Sequence, residues 1–224
     1  MLNKTVKTRM LAVLPPDWTV ALDEEAFIHQ AQCALGVVSD GVAGQKTLSA
    51  LWKRSPPQAD EVVGRAFAAL DWPRVTYSMS ANTGLGERWL TDSGDAPKTG
   101  DCSDFACHCL GLPKDQTAGR VAPLVRGEVW LGADALAGDA IGPRLPLAEA
   151  RPGDLVVYAG AWAGGKRTAI GHVEVCVEAR DGRVWTVGCA SSNRLSAIMR
   201  ADKTAMWRRK GAAAIRPRWY TEGA

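Results

Sequence analysis

The stretch that most restricts the fold is Gly171 to Cys189, GHVEVCVEARDGRVWTVGC. Apolar residues alternate on both sides of Asp181-Gly182, a pair that favours a two-residue type I′ turn. Two antiparallel strands are therefore predicted. A third is predicted from RPGDLVVYAG, where Pro152-Gly153 makes a turn and Leu155 to Tyr158 form a buried run. A last strand falls in AAAIRPRW, near the end of the chain. The chain must build an antiparallel sheet.

The second constraint is Gly100 to Leu112, GDCSDFACHCLGL. Phe105, Ala106, Cys109 and Leu110 recur at helical spacing, so one face of this segment should be buried. Asp101 suits the N-cap, since its carboxylate can accept from the backbone N–H of Ser103 or Asp104. Cys102 then sits in the first turn, where aligned peptide dipoles favour an anion and activate a thiol. By itself a lone cysteine in an apolar helix is more simply a packed core residue. The rest of the chain gives Cys102 its second reading.

Composition removes several classes. Of 224 residues, 46% are hydrophobic and 23% charged, enough for a sizeable core. No run approaches the roughly 20 apolar residues of a membrane helix, so no membrane insertion is expected. The net charge of +3 is too small to argue for nucleic acid. Lys203, Arg208, Arg209, Lys210, Arg216 and Arg218 gather near the end, a pattern read first as a solvated face. Six cysteines do not make a disulfide framework. Cys102, Cys107, His108 and Cys109 have no second ligand pair at suitable spacing, so neither a metal nor another cofactor is expected. The apolar run at Met10 to Leu14 is short for a secretory signal, and synthesis in the cytoplasm without an export signal is expected.

Upstream, Val6, Met10, Leu11 and Leu14 suit a short helix ended by Pro15. DEEAFIHQAQCALG offers Asp23 as cap, an apolar face of Phe27, Ile28, Ala31 and Leu35, and Gly36 as stop. His29 beside that stripe reads as structural, and Cys33 is expected to be packed. A turn at Asp40-Gly41 and Gly44 leads to a helix with Leu48, Leu51 and Trp52. Gln30, Ala34-Leu35-Gly36, Asp40-Gly41, Gly44, Thr47-Leu48 and Leu51 resemble the small helical peptidoglycan-binding domain of cell-wall hydrolases. The likeness covers residues 23–54, and both glycines are expected at positive φ.

Downstream, DCSDF, RPGDLVVY and GHVEV follow one another in an order that resembles the NlpC-type cell-wall cysteine peptidases. These are a papain-like branch related to CHAP amidases, and the likeness runs from about residue 62 to 219. It implies an α+β fold, with N-terminal helices packed on an antiparallel sheet, preceded by a small all-α domain. The expected division is 1–54 helical domain, 55–61 linker and 62–224 catalytic domain. The resemblance implies that Cys102 is the nucleophile and His172 the base, with the amides of Cys102 and Ser103 holding an oxyanion. Tyr77 matches a tyrosine that lines this site. Asp101 and Ser103 match positions that contact the stem peptide.

The third residue departs from the family. Its usual position, on the strand after the histidine, falls on Gly188, which has no side chain to offer. If the Asp181-Gly182 loop pairs Arg180 with Arg183, uniform pairing carries His172 to Ser191. Ser191 is the expected third catalytic residue, with Asn193 two residues further on the same face and Glu174 flanking His172 on its own strand. The expected activity is that of an endolysin-type peptidoglycan hydrolase, with bacterial peptidoglycan as partner, acting as a monomer at the wall after release. The rival expectations are a wall-binding protein with a dead peptidase domain, and a cysteine acyltransferase or toxin on the same fold.

Overall fold

The computed structural model describes residues 4–21, 23–77, 99–112, 114–115, 120–121, 133–137, 141–159, 170–191 and 196–220. Three helices come first: α1 (Lys4–Val13), α2 (Glu24–Leu35) and α3 (Gln45–Arg54). Asp23 caps α2 by accepting from the Ala26 N–H, and Gly36 ends it. Met10, Phe27, Ile28, Ala31 and Leu51 form a small core of their own. Cys33 is exposed, so the expectation that it packs there does not hold; it points away from the Phe27 and Ile28 face.

The α2–α3 turn is organised by one buried amide. Gln32 donates from Nε2 to Asp40 Oδ1 (2.6 Å), the Val42 carbonyl (3.0 Å) and Thr47 Oγ1 (2.9 Å). Its Oε1 accepts from the N–H groups of Asp40 (3.0 Å) and Gly41 (2.9 Å). Gly41 has a φ of 72°, but Gly44 has a φ of −78°, so only the first of the two glycines needs the left-handed region.

The segment after α3 does not hang free. Helix α4 (Ala59–Ala68) begins inside the stretch that composition marks as linker. Pro57 is buried, and its carbonyl accepts from Trp219 Nε1 at 3.0 Å. Arg9 of α1 donates to the Ser55 carbonyl (2.9 Å) and to Glu61 of α4 (2.7 Å). Trp52 of α3 packs in the core of the following unit rather than in that of its own helices.

That larger unit is α+β. Strands β1 (Thr76–Tyr77) and β2 (Thr99–Gly100) pair in parallel and lead into α5 (Cys102–Leu110). Short elements follow: β3 (Lys114–Asp115) with β4 (Arg120–Val121), then α6 (Ala133–Leu136). The main sheet consists of β5 (Arg144–Pro146), β6 (Leu155–Ala159), β7 (Ile170–Arg180), β8 (Arg183–Cys189), β9 (Ile198–Asp202) and β10 (Ala213–Ile215). Helix α7 (Thr204–Arg209) lies between the last two. The sheet order among the described residues is β5-β10-β6-β7-β8-β9, antiparallel throughout. Helices packed on an antiparallel sheet, behind a small all-α unit, are the architecture expected of the sequence.

One face of the sheet, with Leu155, Val157, Val173, Val175 and Val187, packs with Phe105, Ala106 and Leu110 of α5 and with Val62 and Ala66 of α4. The other face carries Val156, Cys176 and Val184 and is covered by Trp207 of α7. The basic residues near the end are partly used inside this unit. Arg216 forms a two-pronged pair with buried Asp154 (3.1 and 2.9 Å), and Arg208 donates to the Gly182 carbonyl at 2.7 Å.

Asp181 and Gly182 have φ values of 51° and 70°, as a type I′ turn requires. Pairing runs uniformly from Arg180↔Arg183 to Glu178↔Trp185 and then shifts by one residue at a bulge, resuming at Cys176↔Thr186 and Val175↔Val187. The expected uniform register ends there. Continued past the bulge, the shifted register sets Glu174 opposite Gly188 and His172 opposite Ala190, not Ser191.

Candidate active site

The cysteine is placed by its own local sequence. Asp101, in an extended conformation, accepts from the Asp104 N–H at 2.8 Å and from the Ser103 hydroxyl at 2.7 Å. Cys102 is thus the first residue of a nine-residue helix that is buried along its length and ended by Gly111. Helix starts leave backbone N–H groups without intrahelical partners, so the amides of Cys102 and Ser103 are turned out of the first turn. The parallel pairing of Tyr77 with Gly100 puts the tyrosine one residue from the cap. Burial raises the Tyr77 phenol above its usual pKa, and the neighbouring Cys102 and Asp101 charges add to this.

His172 enters from β7, where it is 8% exposed. The Cys102 thiol is its hydrogen-bond neighbour on one side. Its Nε2 lies 2.9 Å from Glu174 Oε1, which leaves Nδ1 as the ring nitrogen for the thiol. Tyr158 of β6 (ring centroids 5.6 Å) and Trp207 of α7 (6.2 Å, 17° between planes) flank the imidazole. Burial alone would make the ring less basic. The hydrogen bonds to Cys102 and Glu174, with their charges, outweigh it and push the pKa up to about 9.

Glu174 is wholly buried. Its Oε1 also accepts from Lys203 Nζ at 2.7 Å, and its Oε2 accepts from the Thr186 hydroxyl. Burial opposes ionisation here, but His172 and Lys203 hold the carboxyl below its usual range. Strand residues two apart share a face, so a carboxylate at 174 stands beside an imidazole at 172 by backbone geometry alone.

Cys102, His172, Tyr77, Asp101 and Ser103 are brought together. Ser191 lies exposed in the turn after β8, one residue past the one that the shifted register sets opposite His172. Asn193 lies outside the described residues. His108, six residues past Cys102, stacks edge-on against Trp72 (4.9 Å) and is turned to another part of the core. Thr186 and Lys203 were not legible as site residues. A threonine in a strand and a lysine in a basic run carry no signal of a buried carboxylate between them.

Burial acts on four of the other cysteines. Burial raises the thiols of Cys107 and Cys109 on the same helix. It pushes those of Cys176 and Cys189 up to about 12. Cys189 donates to the Gly100 carbonyl at 3.3 Å and so braces the strand that leads to Asp101.

No protein-family model and no curated protein matches the chain. Among solved structures, NlpC1 from Trichomonas vaginalis is similar over 73% of this chain and 45% of its own length, at 15% identity and a TM-score of 0.41. The P60 domain of an antigen from M. avium subspecies paratuberculosis is similar over 70% of this chain and 93% of that domain, at 16% identity and a TM-score of 0.39. An NlpC/P60 family protein from Bacillus cereus is similar over 72% of this chain and 41% of its own, at 17% identity and a TM-score of 0.38. The chain thus spans less than half of the Trichomonas and Bacillus proteins that it resembles.

Proposed function

We propose that this chain is a papain-like cysteine hydrolase of the NlpC type that cuts an amide bond in or next to the stem peptide of peptidoglycan. One observation carries the reading. The cysteine at the start of a buried helix is in hydrogen-bonding contact with a histidine whose other nitrogen is held by a buried carboxylate.

In this reading Cys102 Sγ attacks the carbonyl carbon as a thiolate, with its proton on His172. The amides of Cys102 and Ser103 receive the developing oxyanion. His172 then gives its proton to the leaving amine, and a thioester remains. Water enters, His172 takes one of its protons, the hydroxide adds to the thioester carbon, and the acid departs as Cys102 is restored. Tyr77, Asp101 and Ser103 would line the stem-peptide side. The helices of residues 1–54 would contribute to wall binding, and an endolysin-type role, by which the protein reaches the wall after release, would complete the picture.

Incubation with purified sacculi, followed by mass spectrometry of the soluble fragments, tests the reading. New amine and carboxylate ends are expected at a single type of bond, and none with Cys102→Ala. Intact sacculi after treatment with folded wild-type protein would sink it and favour a wall-binding protein. Transfer of the acyl group to an added amine in place of water would favour the acyltransferase.

A further inference from the structure

We propose that Glu174 and Gly188 form a matched pair in which the group orienting His172 comes from the histidine's own strand and fills the space that a side chain at 188 would need. The inference rests on the cysteine–histidine chemistry proposed above, though not on the identity of its substrate. A Cβ built on Gly188 would lie 2.1 Å from Glu174 Cγ, 2.5 Å from Cδ and 2.9 Å from Cβ. No rotation of a wholly buried, fully bonded carboxylate relieves such an overlap. The glycine at 188 is therefore not a missing part of the site; it is the room in which Glu174 stands.

The surroundings fit a group that sets the tautomer of a base. Of the two carboxylate oxygens, Oε1 faces His172 Nε2 and Lys203 Nζ, and Oε2 faces the Thr186 hydroxyl. Such a carboxylate accepts a hydrogen bond from Nε2–H and leaves Nδ1 to exchange a proton with sulfur. Lys203 offsets the charge that burial would otherwise penalise, and Thr186 fixes the plane of the carboxylate. Among the described residues, the other titratable groups near the ring are Cys102 of α5 and Tyr158 of β6, with Lys210 Nζ 5.5 Å from the Tyr158 ring centre. Tyr77, Asp101 and Cys189 lie beyond the thiol. Glu174 is a positioning residue, acting on the reaction through His172.

The alternative is a Glu174–Lys203 pair that only holds the sheet together. Four full-length variants separate the two: Glu174→Gln, Glu174→Gly, Gly188→Asn and the Glu174→Gly/Gly188→Asn double variant. The first readout is the rate of Cys102 alkylation by iodoacetamide against pH, with exposed Cys33 as internal reference. The second is kcat and KM on soluble muropeptides. Glu174→Gln keeps the shape and removes the charge, so the advantage of Cys102 over Cys33 near pH 6 should fall by about tenfold or more, with kcat lowered and KM nearly unchanged. Glu174→Gly and Gly188→Asn should each lose as much. The double variant, which returns an orienting amide to β8, should recover a large part of the loss.

A wild-type alkylation profile in Glu174→Gln overturns the pair, and so does a folded double variant no better than the worse single one. If Glu174→Gly fails to fold, Glu174→Gln decides through the same profile. Alkylation needs no muropeptide, so the two readings fail separately. A Glu174-dependent profile without hydrolysis removes the substrate and keeps the pair. Hydrolysis with a profile indifferent to Glu174 does the reverse.

Discussion

The indole N–H of Trp52 donates to the carbonyl of Leu110 at 3.2 Å, tying the last of the N-terminal helices to the end of the helix that begins with Cys102. The Trp52 ring also meets Trp219 edge-on, with centroids 4.7 Å apart. An indole 6% exposed between two such partners is a core residue of the larger unit, although it belongs to α3 in sequence. Trp52→Ala in the full chain should cost about 3–5 kcal/mol, as large aromatic deletions do. Chemical denaturation followed by far-UV circular dichroism measures it, and an unchanged midpoint would place Trp52 outside the core. A fragment from residue 58 onward loses the same indole, so its activity has to be compared at a temperature where it remains folded.

Asp101 lends itself to a second measurement. Its carboxylate accepts from the Asp104 N–H and the Ser103 hydroxyl, immediately before the nucleophile. Asp101→Ala should destabilise the protein by about 0.5–2 kcal/mol and loosen the turn carrying Cys102. Asp101→Asn keeps an oxygen for the cap and should restore most of the stability. If stability returns with Asn while hydrolysis does not, the charge of Asp101 acts on the substrate; recovery of both makes Asp101 a cap alone.

The third measurement is stability against pH. His172 has a folded pKa of about 9 against an ordinary 6.5, so the folded state binds its proton more tightly. The stability this contributes is fully present below 6.5 and is lost as pH rises through 9. Glu174 runs the other way: its depressed pKa contributes above its ordinary 4.5 and is lost as pH falls through the folded value. Wild type should therefore lose more stability between about pH 6 and about pH 9.5 than His172→Gln does. Equal losses in the two proteins would show that His172 does not gain its proton from the fold.

Several of these features could be read from the residues alone because their causes are local. Asp101 caps the turn that follows it, Asp181-Gly182 sets its own turn, and Pro152-Gly153 opens β6; each needs only neighbours in sequence. Trp52 was legible as part of an apolar face, but such a face does not say which of two cores it enters. The partner of His172 was missed for a different reason. Val177, where the register of β7 against β8 shifts, has no feature that separates it from the valines at 173 and 175, and a uniform count across it ends on Ser191. Glu174 was visible as a flanking residue, while the reason to choose it, the empty volume at Gly188, exists only once the strands are side by side.

That irregularity also divides β7 into two halves of opposite parity. On the His172 side, odd-numbered residues such as Val173 and Val175 face the helices; beyond it, Ala179 packs with the Trp207 cluster instead. The strand behaves like a wave whose phase is reversed once, midway along its length. Removing one residue at position 177 would leave the Asp181-Gly182 turn intact and still turn either His172 or the hairpin tip inside out. The side of the sheet on which the histidine emerges is therefore decided five residues away, by a valine that touches none of the chemistry.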